Sequence, residues 1–235
     1  MAKLPDFIDQ TLEAIDRILE QKLLEEPKRK YIGASSIGDP CSRKIWYRYH
    51  SDEKEVFKAD TIRRFNDGHR SENVMAEHLR MVPGIELFTM NGENQYGFKD
   101  GIFSGHYDGV IVGLIQAPKT YHIWEHKSVN EKSFMELVKL RNIDEKSALQ
   151  KWNPIYYAQA VTYMHYEELT RHYMTVSTPG LRDYTSVRTE ANEKFAQALR
   201  AKAFRIADAK EPPERIGGKD FYLCKMCSFY KVCHG

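Results

Sequence analysis

GHYDGVIVGLIQAPKTYHIWEHKSV, residues 105–129, decides how this chain is read. The stretch closes one strand-like run, Gly97 to Val112, and contains the whole of a second, Tyr121 to Val129. Residues 113–120, with Gly113 and Pro118, form the connection between them. Side chains alternate along a strand. That places Asp108, Val110 and Val112 on one face of the first run. Tyr121, Ile123, Glu125 and Lys127 share a face of the second. Two acids and a lysine thus end up on neighbouring strands.

The triplet Glu125-His126-Lys127 gains its meaning from that context. Six Asp/Glu-x-Lys triplets occur, starting at Glu20, Glu26, Asp52, Glu125, Asp144 and Asp208. Most fall in helical or charged surface stretches, where a solvated face explains them. Only the one at Glu125 closes an apolar strand and follows another strand that ends near an aspartate. Hard divalent ions, Mg²⁺ or Mn²⁺, require carboxylate oxygens. Asp108 and Glu125 can converge on one ion or a pair, as phosphodiester hydrolysis requires. Lys127 can orient or deprotonate the attacking water and offset transition-state charge. A plain salt bridge on a sheet face is the structural alternative.

Outward from the strands, the pattern alternates helix and strand, which indicates an α/β chain. Residues 60–80 read as a helix with an inward stripe of Ile62, Phe65, His69, Glu72, Ala76 and Leu79. Two polar residues on a face that should be apolar must pair or face a polar site. His69 or Glu72 therefore becomes a candidate third metal ligand or water holder. Residues 131–150 read as one helix, and Asn153-Pro154 as the N-cap and first position of another running to Glu168. Gln159 and Tyr163, four apart on that helix, are candidates to contact phosphate or base. A strand over 171–178 and a helix over 189–209 follow. Toward the N-terminus, residues 6–25 read as an amphipathic helix bearing Ile8, Leu12, Ile15, Leu19 and Leu23, packed on the domain surface. The expected organisation is an N-terminal helical segment over 1–30 and a single domain over 31–235.

The four cysteines form a second constellation. Cys41 stands alone, whereas Cys224, Cys227 and Cys233 form a C-x2-C-x5-C array near the C-terminus. Zinc sites usually arrive as two knuckles. Three clustered thiols plus one remote thiol suit a 4Fe-4S cluster better, with zinc as the alternative. His50 and His234 lie near the cysteines but are not well spaced as knuckle partners. Such a group would staple the two ends of the chain together.

The bulk numbers set limits. At 42% hydrophobic, the 235 residues can bury a real core. With 35 Lys and Arg against 33 Asp and Glu, the net charge of +2 neither announces nor excludes a nucleic-acid partner. No apolar run reaches membrane-spanning length. The N-terminal stretch lacks a secretory h-region. A cytoplasmic address follows, where clustered cysteines bind metal more often than they pair.

Taken together, these residues resemble the PD-(D/E)xK nuclease superfamily, and within it the RecB-like iron-sulfur branch. That branch includes CRISPR-associated adaptation exonucleases, the AddB nuclease domain and phage exonuclease relatives. Ser36, Cys41-Ser42-Arg43-Lys44 and Tyr47 look like its first-cysteine motif. Gly68-His69 with Glu72 is similar to its helix motif. Gly105-His106-Tyr107-Asp108, Glu125-His126-Lys127 and Gln159-Ala160-Val161-Thr162-Tyr163 match its three core motifs, and Cys224, Cys227 and Cys233 its terminal ligands. The resemblance spans 36–233. It implies a restriction-endonuclease-like core, a mixed central sheet flanked by helices, with the terminal segments joined by an iron-sulfur cluster. It further implies a metal-dependent deoxyribonuclease acting on single strands or DNA ends, in bacterial or phage DNA processing, recombination or CRISPR-type assemblies. A zinc-stapled nuclease or a non-catalytic DNA-binding module are the competing readings. No G-x4-G-K-[ST] loop is present, so no ATP site is expected.

Overall fold

The strand that follows Asp108 and the strand that carries Glu125 lie side by side in a computed structural model, which describes residues 9–235. From the N-terminus come α1 (Gln10–Glu25), β1 (Ile32–Gly33), α2 (Ala34–Ile37), α3 (Ser42–His50) and α4 (Ala59–Arg80). Next are β2 (Glu86–Phe88), β3 (Met90–Asn91), β4 (Asn94–Gln95), β5 (Gly97–Asp100), β6 (Phe103–His106), β7 (Gly109–Val112) and β8 (His122–Ser128). Then follow α5 (Glu131–Ile143), α6 (Glu145–Trp152), α7 (Pro154–Tyr166), β9 (Arg171–Ser177), β10 (Tyr184–Glu190), α8 (Glu193–Asp208), α9 (Tyr222–Lys225) and α10 (Tyr230–His234).

A five-stranded sheet in the order β10-β9-β8-β7-β2 forms the centre. Only β8 and β9 run parallel, joined through α5, α6 and α7, so the sheet is mixed. A second sheet has the order β1-β6-β5. Alternation along β8 sends Ile123 into a core with α7 and Trp124 into another with Met75, Ala76 and Leu79 of α4. Helices therefore cover both faces.

The expected run over 97–112 is three strands. Gly101, at φ +58°, turns β5 into β6, and Tyr107-Asp108 separates β6 from β7. At Gly105, a Cβ would sit 2.7 Å from the Tyr163 ring and 2.8 Å from Ala34 Cβ, so only glycine lets β6 meet α7 this closely. The expected helix over 131–150 breaks at Asp144, whose extended backbone (φ −159°, ψ 100°) caps α6. Helix α7 begins as expected: the Asn153 side chain accepts from the N–H groups of Ile155 and Tyr156, both at 3.1 Å. The last long helix starts at Glu193 rather than 189, because 184–190 is the edge strand β10.

Two expected apolar faces are corrected. On α4, Phe65 is 46% exposed and His69 is exposed; Ile62, Met75, Ala76 and Leu79 are buried. Its middle turns border a cleft, so they need no apolar stripe. On α1, Leu12 is 60% exposed, and no residue of the helix is buried. The helix is held by polar contacts, including the Arg63–Asp16 pair and the Ala59 N–H donating to Glu20 (3.0 Å). Ile8 lies outside the described residues. Among those residues, no helix is long and apolar enough to cross a membrane.

Candidate active site

Asp108 stands immediately before β7, and Glu125 and Lys127 sit two apart on β8. The Lys127 ammonium donates to Glu125 Oε2 at 2.5 Å and lies 3.9 Å from Asp108 Oδ2. Asp108 Oδ2 also accepts the backbone N–H of His126 at 2.8 Å. Glu125 is only 1% exposed, and its second oxygen, Oε1, is buried without a partner. Glu72 approaches from α4.

Three acids around one lysine leave excess negative charge in a poorly hydrated place. Burial, then the charge of Asp108, pushes Glu72 up to about 7, with Lys127 opposing. Burial and Asp108 also push Glu125 up. Burial works against the charge of Lys127, but Glu125 and Asp108 outweigh it and hold the ammonium well above an ordinary lysine. The cluster is therefore short of positive charge. An additional cation would relieve it, and the donor set, all carboxylate oxygen, suits a hard divalent ion. As they stand, no three His, Cys, Asp or Glu side chains among the described residues are grouped so that they could hold a metal ion.

The cluster borders a cleft of about 770 Å³ through Glu72 and Asp108, whereas Glu125 and Lys127 do not line it. Glu72, Asp108, His69 and Gln159 all line it, as do Arg29 and Arg80. His69 and Glu72, three apart on α4, reach the same cleft.

Gln159 and Tyr163 border the cleft but are nearly fully buried. The expectation was a pair that touches DNA, with the ring free to stack. Tyr163 is 1% exposed and belongs to the main core. Its hydroxyl donates to the His106 carbonyl at 2.6 Å and accepts from Gln159 Nε2 at 3.0 Å. The ring cannot stack on a base from there. The pair instead ties α7 to the strand that leads into Asp108.

The sequence reading missed what lies around and behind the cluster. The Tyr156 ring sits 5.9 Å from Lys127 Nζ; its position one turn before Gln159 on α7 was the available signal. His126, alternating away from Glu125, bonds Thr175 Oγ1 (3.0 Å) and Ser177 Oγ (3.2 Å) on β9. Burial, then the Lys127 charge, pushes His126 down to about 4. Trp124 Nε1 donates to the same Thr175 oxygen at 3.1 Å. These bonds fix the strand from its reverse face.

The structure also brings all four cysteines to one cavity of about 150 Å³. Cys41 caps α3, Cys224 lies on α9, Cys227 follows it, and Cys233 lies on α10. None is in a disulfide. Burial, followed by the charges of Cys41 and Cys233, pushes the Cys224 thiol up. Tyr47 stacks on Phe229 at 5.5 Å beside the cavity. Arg43 donates to the Pro213 carbonyl (3.0 Å) and Trp46 to that of Ala209 (2.7 Å), tying α3 to the C-terminal segment.

No protein-family model matches this chain, and no curated protein does. Solved structures do. An alkaline exonuclease, LHK-Exo, from Laribacter hongkongensis aligns at a TM-score of 0.55 and 13% identity, over 81% of this chain and 90% of that one. A phage-related exonuclease from Haemophilus somnus 129PT aligns at a TM-score of 0.50 and 11% identity, over 75% and 91% of the two chains. This chain shares its fold with exonucleases. The structure of SSO0001 aligns at a TM-score of 0.52 and 14% identity, over 97% of this chain and 98% of that one. The exonuclease fold matches the architecture expected from the sequence, a mixed sheet flanked by helices.

Proposed function

We propose that this chain is a Mg²⁺- or Mn²⁺-dependent deoxyribonuclease of the PD-(D/E)xK type, acting as an exonuclease on single strands or DNA ends. One observation carries the reading: Lys127 is paired with the buried Glu125 and close to Asp108, which with Glu72 lines a cleft. The likeness to exonuclease folds supports it. Asp108 and Glu125 would hold the metal, with Glu72 or His69 completing the set. A bound divalent ion supplies charge neutralisation at the phosphate. The chain's own groups divide the remaining work. Lys127, held protonated between two acids, acts as a donor rather than a base: it orients the water and stabilises charge on the phosphate oxygens. Water adds to phosphorus while the bond to the leaving oxygen breaks. Where His69 completes the metal's ligands, Glu72 is free to accept the water's proton. Arg29 and Arg80 are placed to neutralise the DNA backbone.

We further infer that the four thiols hold a 4Fe-4S cluster. The reading rests on spacing: three clustered thiols and one remote thiol suit a cubane better than the two knuckles of a zinc site. An iron-loaded protein purified without oxygen is brown, whereas a zinc-loaded one is colourless.

The test of the nuclease reading is cleavage of end-labelled linear single- and double-stranded DNA, with circular DNA as control. Wild type should cut linear DNA only with Mg²⁺ or Mn²⁺, and Lys127→Ala should not cut while retaining a native circular dichroism spectrum. Undiminished cutting by that variant sinks the assignment.

A further inference from the structure

His234 closes α10, beside Cys233, and lines the cavity that all four cysteines share. It is only 7% exposed, and its Nε2 is buried with no hydrogen-bond partner in the protein. A buried polar nitrogen without a partner is costly, and native proteins rarely leave one. Tyr230, one turn earlier, flanks the ring at 5.2 Å and 35°. Three cationic side chains also line the cavity, but each already donates elsewhere. Arg43 bonds the Pro213 carbonyl at 3.0 Å, Arg215 the Cys233 carbonyl at 2.9 Å, and Lys44 the Asp39 carboxylate at 2.8 Å.

We propose that His234 donates an Nε2–H hydrogen bond to a sulfur of the iron-sulfur group in this cavity, and so raises its reduction potential. The proposal rests on the reading of the cysteine cavity given above. With four cysteines present, the imidazole is not needed as a ligand. A donor to sulfur withdraws electron density and favours the more negative, reduced cluster.

The test compares wild type, His234→Phe and His234→Gln, each reconstituted anaerobically with iron and sulfide and titrated with dithionite. Iron per chain and the visible spectrum report loading; the midpoint potential reports the hydrogen bond. All three proteins should load equally. The midpoint should move negative in His234→Phe and less so in His234→Gln, whose amide can still donate. Equal loading with an unmoved midpoint overturns this inference alone. Loss of iron from both variants, with the fold retained, overturns it as well, by making the histidine a ligand. If His234→Phe fails to fold, the smaller His234→Leu, which cannot donate either, decides: an unshifted midpoint overturns the proposal. A folded wild type that takes up no iron removes the cluster reading and this inference with it.

Discussion

Asp108, Glu125 and Lys127 stand on or beside neighbouring strands of the central sheet, whereas the four cysteines stand on short helices and their links. The acidic cluster has its own cation and a backbone donor, at 2.5 and 2.8 Å. The thiol cavity has far less: the one polar contact of the Cys224 sulfur is a long 3.8 Å approach to the Gly217 carbonyl. The first site is shaped before anything binds. The second brings four thiols, none of them in a disulfide, to the edge of one cavity. Loss of a ligand should therefore cost chemistry at the first site and stability at the second.

The largest effect should come from Cys224→Ser. Joining Cys41 to the C-terminal cysteines closes a long loop, worth on the order of 5 kcal/mol by the cross-link estimate. Iron should be lost, and melting should fall by roughly 10–20 °C. DNA cleavage measured well below that melting point should persist. A stable, iron-free variant would break the contrast from one side.

Asp108→Asn should break it from the other. Cleavage should fall about 10²–10³-fold, the scale of losing one electrostatic group at a reacting centre. Melting should hold or rise, because the amide oxygen still accepts the His126 N–H and one negative charge is gone.

A smaller effect is pH dependence of stability without metal. Glu72 has a folded pKa raised to about 7 from an ordinary 4.5. The folded state then holds the proton that the unfolded chain releases, so stability falls as pH rises from 4.5 to 7. Discounted for solvent screening, the drop attributable to Glu72 should be about 1–2 kcal/mol. Denaturant titrations should show it, and Glu72→Gln or added Mg²⁺ should flatten it. Tyr163→Phe should cost about 1–2 kcal/mol, since its hydroxyl makes two hydrogen bonds. Cleavage should fall only modestly, since no reacting group is removed.

Much of the acidic site was legible because strand alternation needs no tertiary knowledge: Glu125 and Lys127 had to share a face once β8 was a strand. Asn153-Pro154 was equally local, a cap that fixes its own bonds. The burial of Tyr163 was not legible because α7 is buried nearly all round, from Tyr157 to Met164, so i, i+4 spacing there says nothing about exposure. Strand β10 escaped notice because its sequence, Tyr-Thr-Ser-Val-Arg-Thr-Glu, is mostly polar and buries only Val187 and Thr189. The break at Asp144 was hidden by helix-forming residues on both sides. Only its cap bonds, to the Lys146 N–H (3.2 Å) and the Ser147 hydroxyl (2.5 Å), reveal the new start.

The distance between Cys41 and Cys233, about 190 residues of chain, bears on biosynthesis. At ribosomal rates, Cys41 must wait roughly 10–40 s for its last partner to be made. Every residue of the acidic cleft is translated within that interval or before it. A nascent or truncated chain ending ahead of Cys224 would thus carry a full set of cleft side chains and one solitary thiol. Were the proposed cluster present, its iron and sulfide would arrive after this segment is made, when every strand of the central sheet has already been synthesised.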